Sequence, residues 1–529
     1  MSAAEGPAAV DRGLGRDTLV VTACTMFSRL TGFGRVLATA AVLGSGLLGD
    51  VYQTANMIPN LLFELVALGV LQAVLLPAYV AARREGGDNG LSDAVQATLG
   101  AIVVVLGVVS VAGMVASPLI ARFMVALDPS SSVAADKLDV MIPMVLVFVP
   151  QLVFYGIAMS TSAALNARGH FIAAALSPAV NNVIVIAACL LFRWSRDGAV
   201  ADLELSVVEF ALIAVGTTLG VVGFGLAPAV TLGWRGVRWR PHWRPNHPAV
   251  RLMRQNFGWA TLSIVGTFVP TVAALALGNG APGGVAVFVF AFAFFVLPHA
   301  LVAVPIATAL APRVADRWQA GDRESVRQSI DTSIARAVPL LVLGGAGMMA
   351  LAWPLSDVMA FGQIASQGLE PIGYALVAFG PGLLGYGVSF ILTRVLFSLG
   401  DLRAASRLMV AGAVAGVAAM VLLSAALGPD ERAAALAAGY GAAQAVTAVL
   451  LWWRVHRLTG ALPPTPVLRR MLHSVAAGGV ATLAMLQVAG LFGDRRRESA
   501  AAMAVAGTVG VVLFAALMWR SVAAGRHSD

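Results

Sequence analysis

Charge is what this sequence lacks most. Acidic and basic residues make up 12% of its 529 residues, whereas 59% are hydrophobic and the mean hydropathy is +0.84. A soluble domain needs more charge than this on its surface, so the composition predicts a polytopic membrane protein. The segments between apolar runs reach only about 20 residues. They leave no room for a nucleotide-binding domain, which excludes ATP-driven transport by this chain alone.

The sequence also lacks the residue clusters that catalysis and metal binding require. Its two cysteines, Cys24 and Cys189, fall within apolar runs and are predicted to be packing residues rather than a disulfide. No acid pair, His/Cys cluster or glycine-rich phosphate loop with its lysine lies between the runs. We therefore predict neither an enzyme nor a metal or cofactor site.

Lysine is almost absent too: Lys137 is the only one, so arginine carries nearly all of the positive charge behind the net +8. Fourteen apolar segments can be drawn, and 23 Lys and Arg residues lie on the side of the termini against eight on the other side. This asymmetry predicts two cytoplasmic termini and needs no nucleic-acid partner. The segments are 19–44, 53–82, 94–121, 139–164, 170–192, 205–233, 257–280, 283–312, 332–360, 371–399, 405–428, 433–453, 470–492 and 499–519.

An internal repeat relates the two halves of the chain. LLPAYVAARREGGD (Leu75–Asp88) matches LAPRVADRWQAGD (Leu310–Asp322), Ile58-Pro59 matches Leu297-Pro298, and the turn ALNARGHF lies where the second half has FSLGDLR. The offset of about 230–240 residues is six spans, an even number that predicts parallel lobes. Chance similarity between apolar helices is the alternative. The predicted domains are a tail (1–18, with no signal peptide), an N-lobe (19–233), a basic linker (234–256), a C-lobe (257–456) and spans 13–14 with a short tail (457–529).

Two arginines, Arg29 and Arg35, lie deep in the first span. A charge near the centre of a spanning helix costs roughly 2.5–3.5 kcal/mol on insertion scales, so such residues usually face a polar cavity. Six positions separate them, which points the two side chains about 120° apart. A guanidinium suits phosphate because its planar fork donates two parallel hydrogen bonds. The alternative is a structural role, in which each arginine bonds the carbonyls of neighbouring helices.

Other candidates are the residues that could pair with these cations or bend the helices. Glu64, in the second span, lies at a depth similar to that of Arg35, which favours an ion pair; proton coupling by Glu64 is the alternative. Pro59 and Pro298 permit helix bends that gating could use. His299 is either a packing residue or a proton carrier. Asp50, at the outer end of the first hairpin, is by itself read as a solvated acid or a cap of the second span.

These motifs resemble one family. TMFSRLTGFGR (Thr25–Arg35), IPNLL (Ile58–Leu62), LNARGHFIAAALSPAVNN (Leu165–Asn182) and LFSLGDLR (Leu396–Arg403), together with Asp50, are similar to the MurJ (MviN) flippases of the MOP superfamily. Some positions differ from the family pattern. Met57, Phe63, Glu64 and Ala293 stand where many members have basic residues, which is typical of an actinobacterial-type variant and places the expected diphosphate contact mainly on Arg35.

The resemblance implies an all-α membrane fold of about 14 helices, with two parallel six-helix lobes around a cationic cavity and two extra C-terminal helices forming a lipid-tail groove. The expected cargo is lipid II, the undecaprenyl-diphosphate disaccharide-pentapeptide, moved from the inner to the outer leaflet of the bacterial cytoplasmic membrane by alternating access. Arg29, Arg35 and Asn60 would contact it, and Asp50 would help to close the outer side. Membrane phospholipids and cell-wall synthesis proteins are further expected partners, and acids for sodium coupling are missing from spans 7 and 11.

Three alternatives stay open at this point. The same fold could serve a flippase for another polyprenyl-linked glycan, or a MATE-like multidrug antiporter, which would need cavity acids for cation binding. Only Glu64 meets that need. A polytopic lipid-processing enzyme would need catalytic acids in a long outer loop, and the sequence contains no such loop.

Overall fold

A computed structural model describes residues 7–64, 69–128, 131–197, 202–255, 257–367, 369–493 and 495–526. Every regular element in these ranges is a helix, which confirms the predicted all-α class. A bilayer favours this outcome, because lipid offers the backbone no hydrogen-bond partner and a helix satisfies its own amides. The first six residues of the predicted tail lie outside the described ranges.

The helices carry the labels used below and are, in chain order, α1 (Pro7–Leu43), α2 (Leu47–Phe63), α3 (Gly69–Val115), α4 (Ser117–Val125), α5 (Ser131–Phe148), α6 (Gln151–Ala167), α7 (Ile172–Ser195), α8 (Val207–Phe210), α9 (Gly216–Trp234), α10 (Pro248–Gln255), α11 (Phe257–Gly278), α12 (Gly284–Gln319), α13 (Arg323–Ala350), α14 (Ala352–Val358), α15 (Gln363–Gln367), α16 (Glu370–Phe379), α17 (Gly382–Ser398), α18 (Leu402–Ala426), α19 (Arg432–Thr459), α20 (Pro464–Ala489) and α21 (Arg496–Arg526). A π-helical segment, Ala211–Val215, joins α8 to α9. A short 3₁₀ turn, Pro429–Glu431, precedes α19.

Ten described helices are long and apolar enough to cross a membrane, or eleven if the bent pair α16–α17 forms one span. The pair bends by 47° at Gly380-Pro381, where proline removes a helical hydrogen bond. Helix α2, with 17 residues, is not among the ten. The number of fourteen spans therefore stays a prediction.

The first compact unit contains residues up to Val42, Thr54–Arg122 and Ala135–Thr261. In it α6 packs against α3 and α9, and α7 packs against α9. A kink at Gly86 and Gly87 divides α3, and Gly87 has a φ of +59° that glycine adopts without strain. The kink follows the predicted exit of the second span. The predicted linker contains α10, and its residue 256 lies outside the described ranges.

The second unit contains Leu43–Gln53, Phe123–Ala134 and the chain from Leu262 onward. Helix α19 packs against α16, α17 and α18, helix α17 packs against α12 and α13, and helix α20 packs against α13 and α21. The tip of the first hairpin thus belongs to this unit, although the predicted N-lobe included it.

The same local structure recurs in each unit at matched positions. Gly169 after α6 has a φ of +76°, and Gly400 after α17 has a φ of +79°. In both turns the glycine N–H bonds the carbonyl three residues back, and the next N–H bonds the carbonyl five residues back. These are the turns ALNARGHF and FSLGDLR, so the predicted repeat has equivalent backbone geometry at this point.

Candidate functional site

Arg35 lies on the face of α1 that points into the first unit. Its charge acts on the Tyr155 hydroxyl of α6 and on the Cys189 thiol of α7. The side chain is half-buried, and among the described residues its guanidinium has no hydrogen-bond or ion-pair partner. A guanidinium carries five N–H donors. Those of Arg35 are therefore available to a ligand.

A polar clasp fixes this part of α1. The side-chain amide of Asn182, on α7, donates to the Ser28 carbonyl at 3.3 Å and to the Thr31 hydroxyl at 3.2 Å. Gly32 permits the approach, since a Cβ there would lie 3.4 Å from the same amide nitrogen. Because Ser28 and Arg35 are seven residues, or about two helical turns, apart, the clasp and Arg35 share one face of α1.

Tyr155 links the first span to the second. Its hydroxyl is hydrogen-bonded to the side chain of Asn60, and the charges of Arg35 and Glu64 both act on it. Asn60 also donates to the Asn56 carbonyl at 3.0 Å, within its own helix. The structure thus brings Arg35, Asn60 and Glu64 together around a tyrosine that the sequence analysis did not single out.

Two expectations about charges differ from the structure. Arg35 and Glu64, both among the described residues, do not form the favoured ion pair within 4.0 Å, and the charge of each acts on Tyr155 from its own helix. Arg29 is exposed, beside the exposed side chains of Met26 and Leu30. It does not join Arg35, as expected from their angular separation on α1.

Tyr155 has an equivalent in the second unit. Phe63 contacts Tyr155 with ring centroids 5.3 Å apart, and Phe295 contacts Tyr386 at 5.2 Å. Both tyrosines follow a helix-breaking proline by five residues. The signal for Tyr155 was therefore in the sequence: a repeat aligned by its glycine turns, about 230 residues apart, pairs the two tyrosines.

His299 and Pro298 lie in this part of the second unit. The His299 ring is 4% exposed and packs 4.1 Å from the Tyr386 ring, and within the described chain its Nδ1 has no partner. Pro298 packs closely on Gly344, where a Cβ would lie 3.0 Å from the proline Cβ.

Pro59 is buried inside α2. In the predicted repeat Pro59 is matched with Pro298. This match is shifted by about two helical turns from the one that pairs Phe63 with Phe295 and Tyr155 with Tyr386.

Asp50 is fully buried and caps a helix other than the predicted one. Its carboxylate accepts backbone N–H bonds from Gly283 at 2.7 Å, Val285 at 3.0 Å and Ala286 at 2.8 Å. These donors belong to the N-cap and the first turn of α12, where unpaired amides and the helix dipole favour an anion. The acid is therefore buried rather than solvated, and it caps α12.

Glycines let the backbone close tightly around Asp50. Gly283 has a φ of +78°, and a Cβ on it would collide with the Ser45 carbonyl. A Cβ on Gly280 would lie 2.9 Å from the Leu127 carbonyl. The hairpin tip and the segment that follows α4 thus meet the turn before α12 through backbone contacts that larger residues would prevent.

An apolar cavity of about 380 Å³ lies between α13, α17, α19 and α20 in the second unit. Its lining includes Val338, Leu384, Trp452, Leu468 and Met471. Such a cavity suits a hydrocarbon chain. Within the described ranges, no group of three or more His, Cys, Asp or Glu side chains could hold a metal ion.

Comparison with known proteins relates this architecture to transporters. A family model described as "Lipid II flippase MurJ" matches residues 39–519. The chain is 27% identical over 385 residues to a probable lipid II flippase MurJ of Rhizobium tropici, covering 72% of this chain and 69% of that protein. It is 25% identical over 398 residues to the lipid II flippase MurJ of Burkholderia cenocepacia, covering 73% and 74%.

Two solved structures share the fold. The lipid II flippase MurJ in an inward closed conformation superposes with a TM-score of 0.74 at 16% identity, covering 95% of this chain and 99% of that one. An inward-facing MATE family transporter of the MOP superfamily superposes with a TM-score of 0.63 at 15% identity, covering 84% and 99%. At these identities the structural matches support the fold alone.

Proposed function

Because the chain belongs to the MurJ family of lipid II flippases, we propose that Arg35 holds the diphosphate of lipid II while the lipid crosses the membrane. Membership makes the chain a multi-pass inner-membrane transporter rather than an enzyme. The observation that carries the role of Arg35 is its guanidinium, which faces the interior of the first unit with no hydrogen-bond partner among the described residues. A diphosphate supplies the acceptors that such a fork lacks.

Tyr155 and Asn60 would extend this binding site. Their hydrogen bond holds two polar side chains beside Arg35, where each could exchange a protein partner for a phosphate oxygen. Glu64, on the other side of Tyr155, would repel the diphosphate and so help release it. Arg29, exposed on another face of α1, would contact the cargo earlier or later on its path.

The contact at Asp50 would close the outer side of the transporter. Three backbone N–H groups donate to the buried Asp50 carboxylate. These bonds form together, and they would be lost together if the first hairpin moved away from the start of α12. Such a two-state contact suits alternating access. Bends at Pro59 and Pro298 would accompany its opening, and His299, packed on Tyr386, would fix the second unit near its bend.

The apolar cavity between α13, α17, α19 and α20 would hold part of the polyprenyl tail. Its lining is mostly aliphatic, and Leu468 and Met471 on α20 contribute to it. This placement agrees with the expected role of the last two spans. An apolar surface keeps the long tail out of water while the lipid moves. Each methylene group that stays buried contributes about 0.8 kcal/mol.

The linker would lie on the inner leaflet and contact phospholipids. Val250 of α10 packs on Ala97 and Ala101 of α3, while Arg251 and Trp243 are exposed. Exposed arginines next to a tryptophan match an anionic headgroup layer. Both termini would then lie in the cytoplasm, on the side where cell-wall synthesis proteins would make the cargo.

The decisive experiment replaces the native flippase of a host with this chain. The host flippase is depleted, the chain is supplied in trans, and lipid II in the outer leaflet is read with an extracellular probe. We expect rescue by the parent chain and by Arg336→Gln, which neutralises an exposed arginine of α13. Arg35→Gln should give no rescue at equal membrane abundance. Failure of the stably inserted parent would refute the proposed cargo, and rescue by Arg35→Gln would refute the proposed role of Arg35.

A further inference from the structure

A second basic site lies in the first unit, away from Arg35. An open cavity of about 630 Å³ sits beside the kink of α3 and the end of α6. Its lining contains Arg83 and Arg84 from α3, the glycine of the kink, Asp88 and Ala167. The helices here leave their apolar runs, and at that level we expect a membrane protein to meet phosphate headgroups.

Positive charge dominates this cavity although it contains an acid. Asp88 is shared by two guanidiniums, with Arg83 Nε at 3.5 Å and Arg168 Nη2 at 3.1 Å. Arg84 also lines the cavity, and in the described part of the chain it has no ion-pair partner. Three arginines therefore lie at this cavity with one carboxylate, and two of them pair with it, which leaves a net positive charge there.

Arg168 lies next to this cavity and pairs with Asp88, which lines it. Its Nη1 donates to the Arg235 carbonyl at 2.7 Å, and its side chain is only 14% exposed. Its Nε is buried and, among the described residues, has no hydrogen-bond partner. An N–H donor left unpaired in a fixed guanidinium is costly unless a ligand or water accepts its hydrogen bond.

His170, two residues after Arg168, is affected by the positive charge of the same arginines. Partial burial lowers the pKa of its imidazole, and the neighbouring charges of Arg235, Arg168 and Arg83 lower it further. Nearby positive charges disfavour the protonated ring. The effect of these arginines on His170 is therefore that of a net positive charge.

We propose that Arg83, Arg84 and Arg168 form a binding site for a phosphate group at this end of the first unit. Two guanidiniums that line the cavity, with a third paired to its Asp88, match the several oxygens of a phosphate better than a single carboxylate. The phosphate could belong to an anionic phospholipid headgroup or to a free diphosphate in solution, since both present the same oxygens. Asp88 would act as the internal competitor that leaves its two arginines when phosphate binds.

The test uses the purified full chain with two probes. Inorganic pyrophosphate binding is measured by calorimetry, and retention of phosphatidylglycerol against phosphatidylcholine is measured by native mass spectrometry. We expect Arg83→Gln with Arg84→Gln to weaken binding roughly a hundredfold, about tenfold for each charged hydrogen-bond donor. Asp88→Asn should strengthen binding several-fold, because it removes the competitor. A merely structural Asp88 would instead lower stability without any gain in binding.

The matched control is Arg323→Gln with Arg327→Gln, two exposed arginines at the start of α13, just after the corresponding exit of the second unit. Binding of phosphatidylglycerol alone assigns the site to a headgroup, and binding of pyrophosphate alone assigns it to a soluble ligand; either supports the proposal. Binding of neither probe, or an equal loss in the control, overturns it. If the double variant does not fold, the unmutated chain is used instead. In a histidine NMR titration, bound phosphate must raise the pKa of its His170. An unchanged value overturns the proposal.

Discussion

Asp50→Asn should open the contact at the start of α12. Asparagine keeps one acceptor oxygen, which can serve Val285 and Ala286, but it turns an N–H₂ donor toward the Gly283 N–H. One charged hydrogen bond is lost, at about 1.5–3 kcal/mol. The interaction of the carboxylate with the helix dipole is lost as well, at about 0.3–1 kcal/mol. The closed arrangement should therefore lose about 2–4 kcal/mol.

That loss changes the ratio of closed to open molecules by about 30- to 700-fold, since each 1.4 kcal/mol is tenfold. The assay is labelling of a cysteine by a membrane-impermeant thiol reagent added outside intact cells. Ala281→Cys is the reporter, because Ala281 is 2% exposed beside this contact. Cys24 and Cys189 are first replaced by alanine. Labelling should be fast in the Asp50→Asn background and slow in the parent.

Asp430→Asn is the matched control, because it neutralises an exposed acid in the short turn before α19. It should leave the labelling rate unchanged. Thermal melting of each variant separates opening from unfolding. If Asp50→Asn folds and its reporter stays as protected as in the parent, the three N–H bonds do not hold the closed arrangement, and the reasoning fails.

Three further predictions concern packing and polar contacts. Tyr155→Phe should weaken the apparent affinity for cargo about 2- to 10-fold by removing one hydrogen bond, measured as the lipid II dependence of transport; an unchanged affinity would exclude Tyr155 from the site. Asn182→Leu should lower the free energy of unfolding by about 1–3 kcal/mol, because the clasp on α1 loses both bonds; equal stability would show the clasp to be dispensable. Gly385→Ala should cost about 1–3 kcal/mol, since its Cβ would lie 2.7 Å from the Ala445 backbone nitrogen. Gly479→Ala, with nothing within 4 Å, should cost nothing.

What the sequence revealed depended on local patterns. Apolar runs predicted helices, and the two glycine turns predicted the repeat, because a left-handed residue after a helix leaves a signature within a few positions. Arg35 was identified from its depth in a run, which needs no knowledge of its neighbours. The helix breaks at Pro150 and Pro381 could also have been predicted, because proline acts within its own turn.

Pairings between distant helices were harder to predict. Asp50 was assigned to a nearby helix, yet its partners are more than 230 residues away, and nothing in the hairpin sequence specifies them. The Arg35–Glu64 pair was inferred from equal depth, but depth does not fix the rotation of a helix about its axis. Tyr155 was missed for the same reason, since a lone tyrosine in an apolar run becomes informative only when its neighbours are known.

The Asp50 contact has a consequence for biogenesis. Gly283 is synthesised 233 residues after Asp50. At a translation rate of about 5–20 residues per second, roughly 10–50 s pass between the synthesis of Asp50 and that of its partners. During that interval the carboxylate must stay hydrated at the membrane surface or within the insertion machinery. Slow translation between the two segments would lengthen the exposure, so codon choice and the rate of the ribosome could affect how much of this chain reaches the folded state.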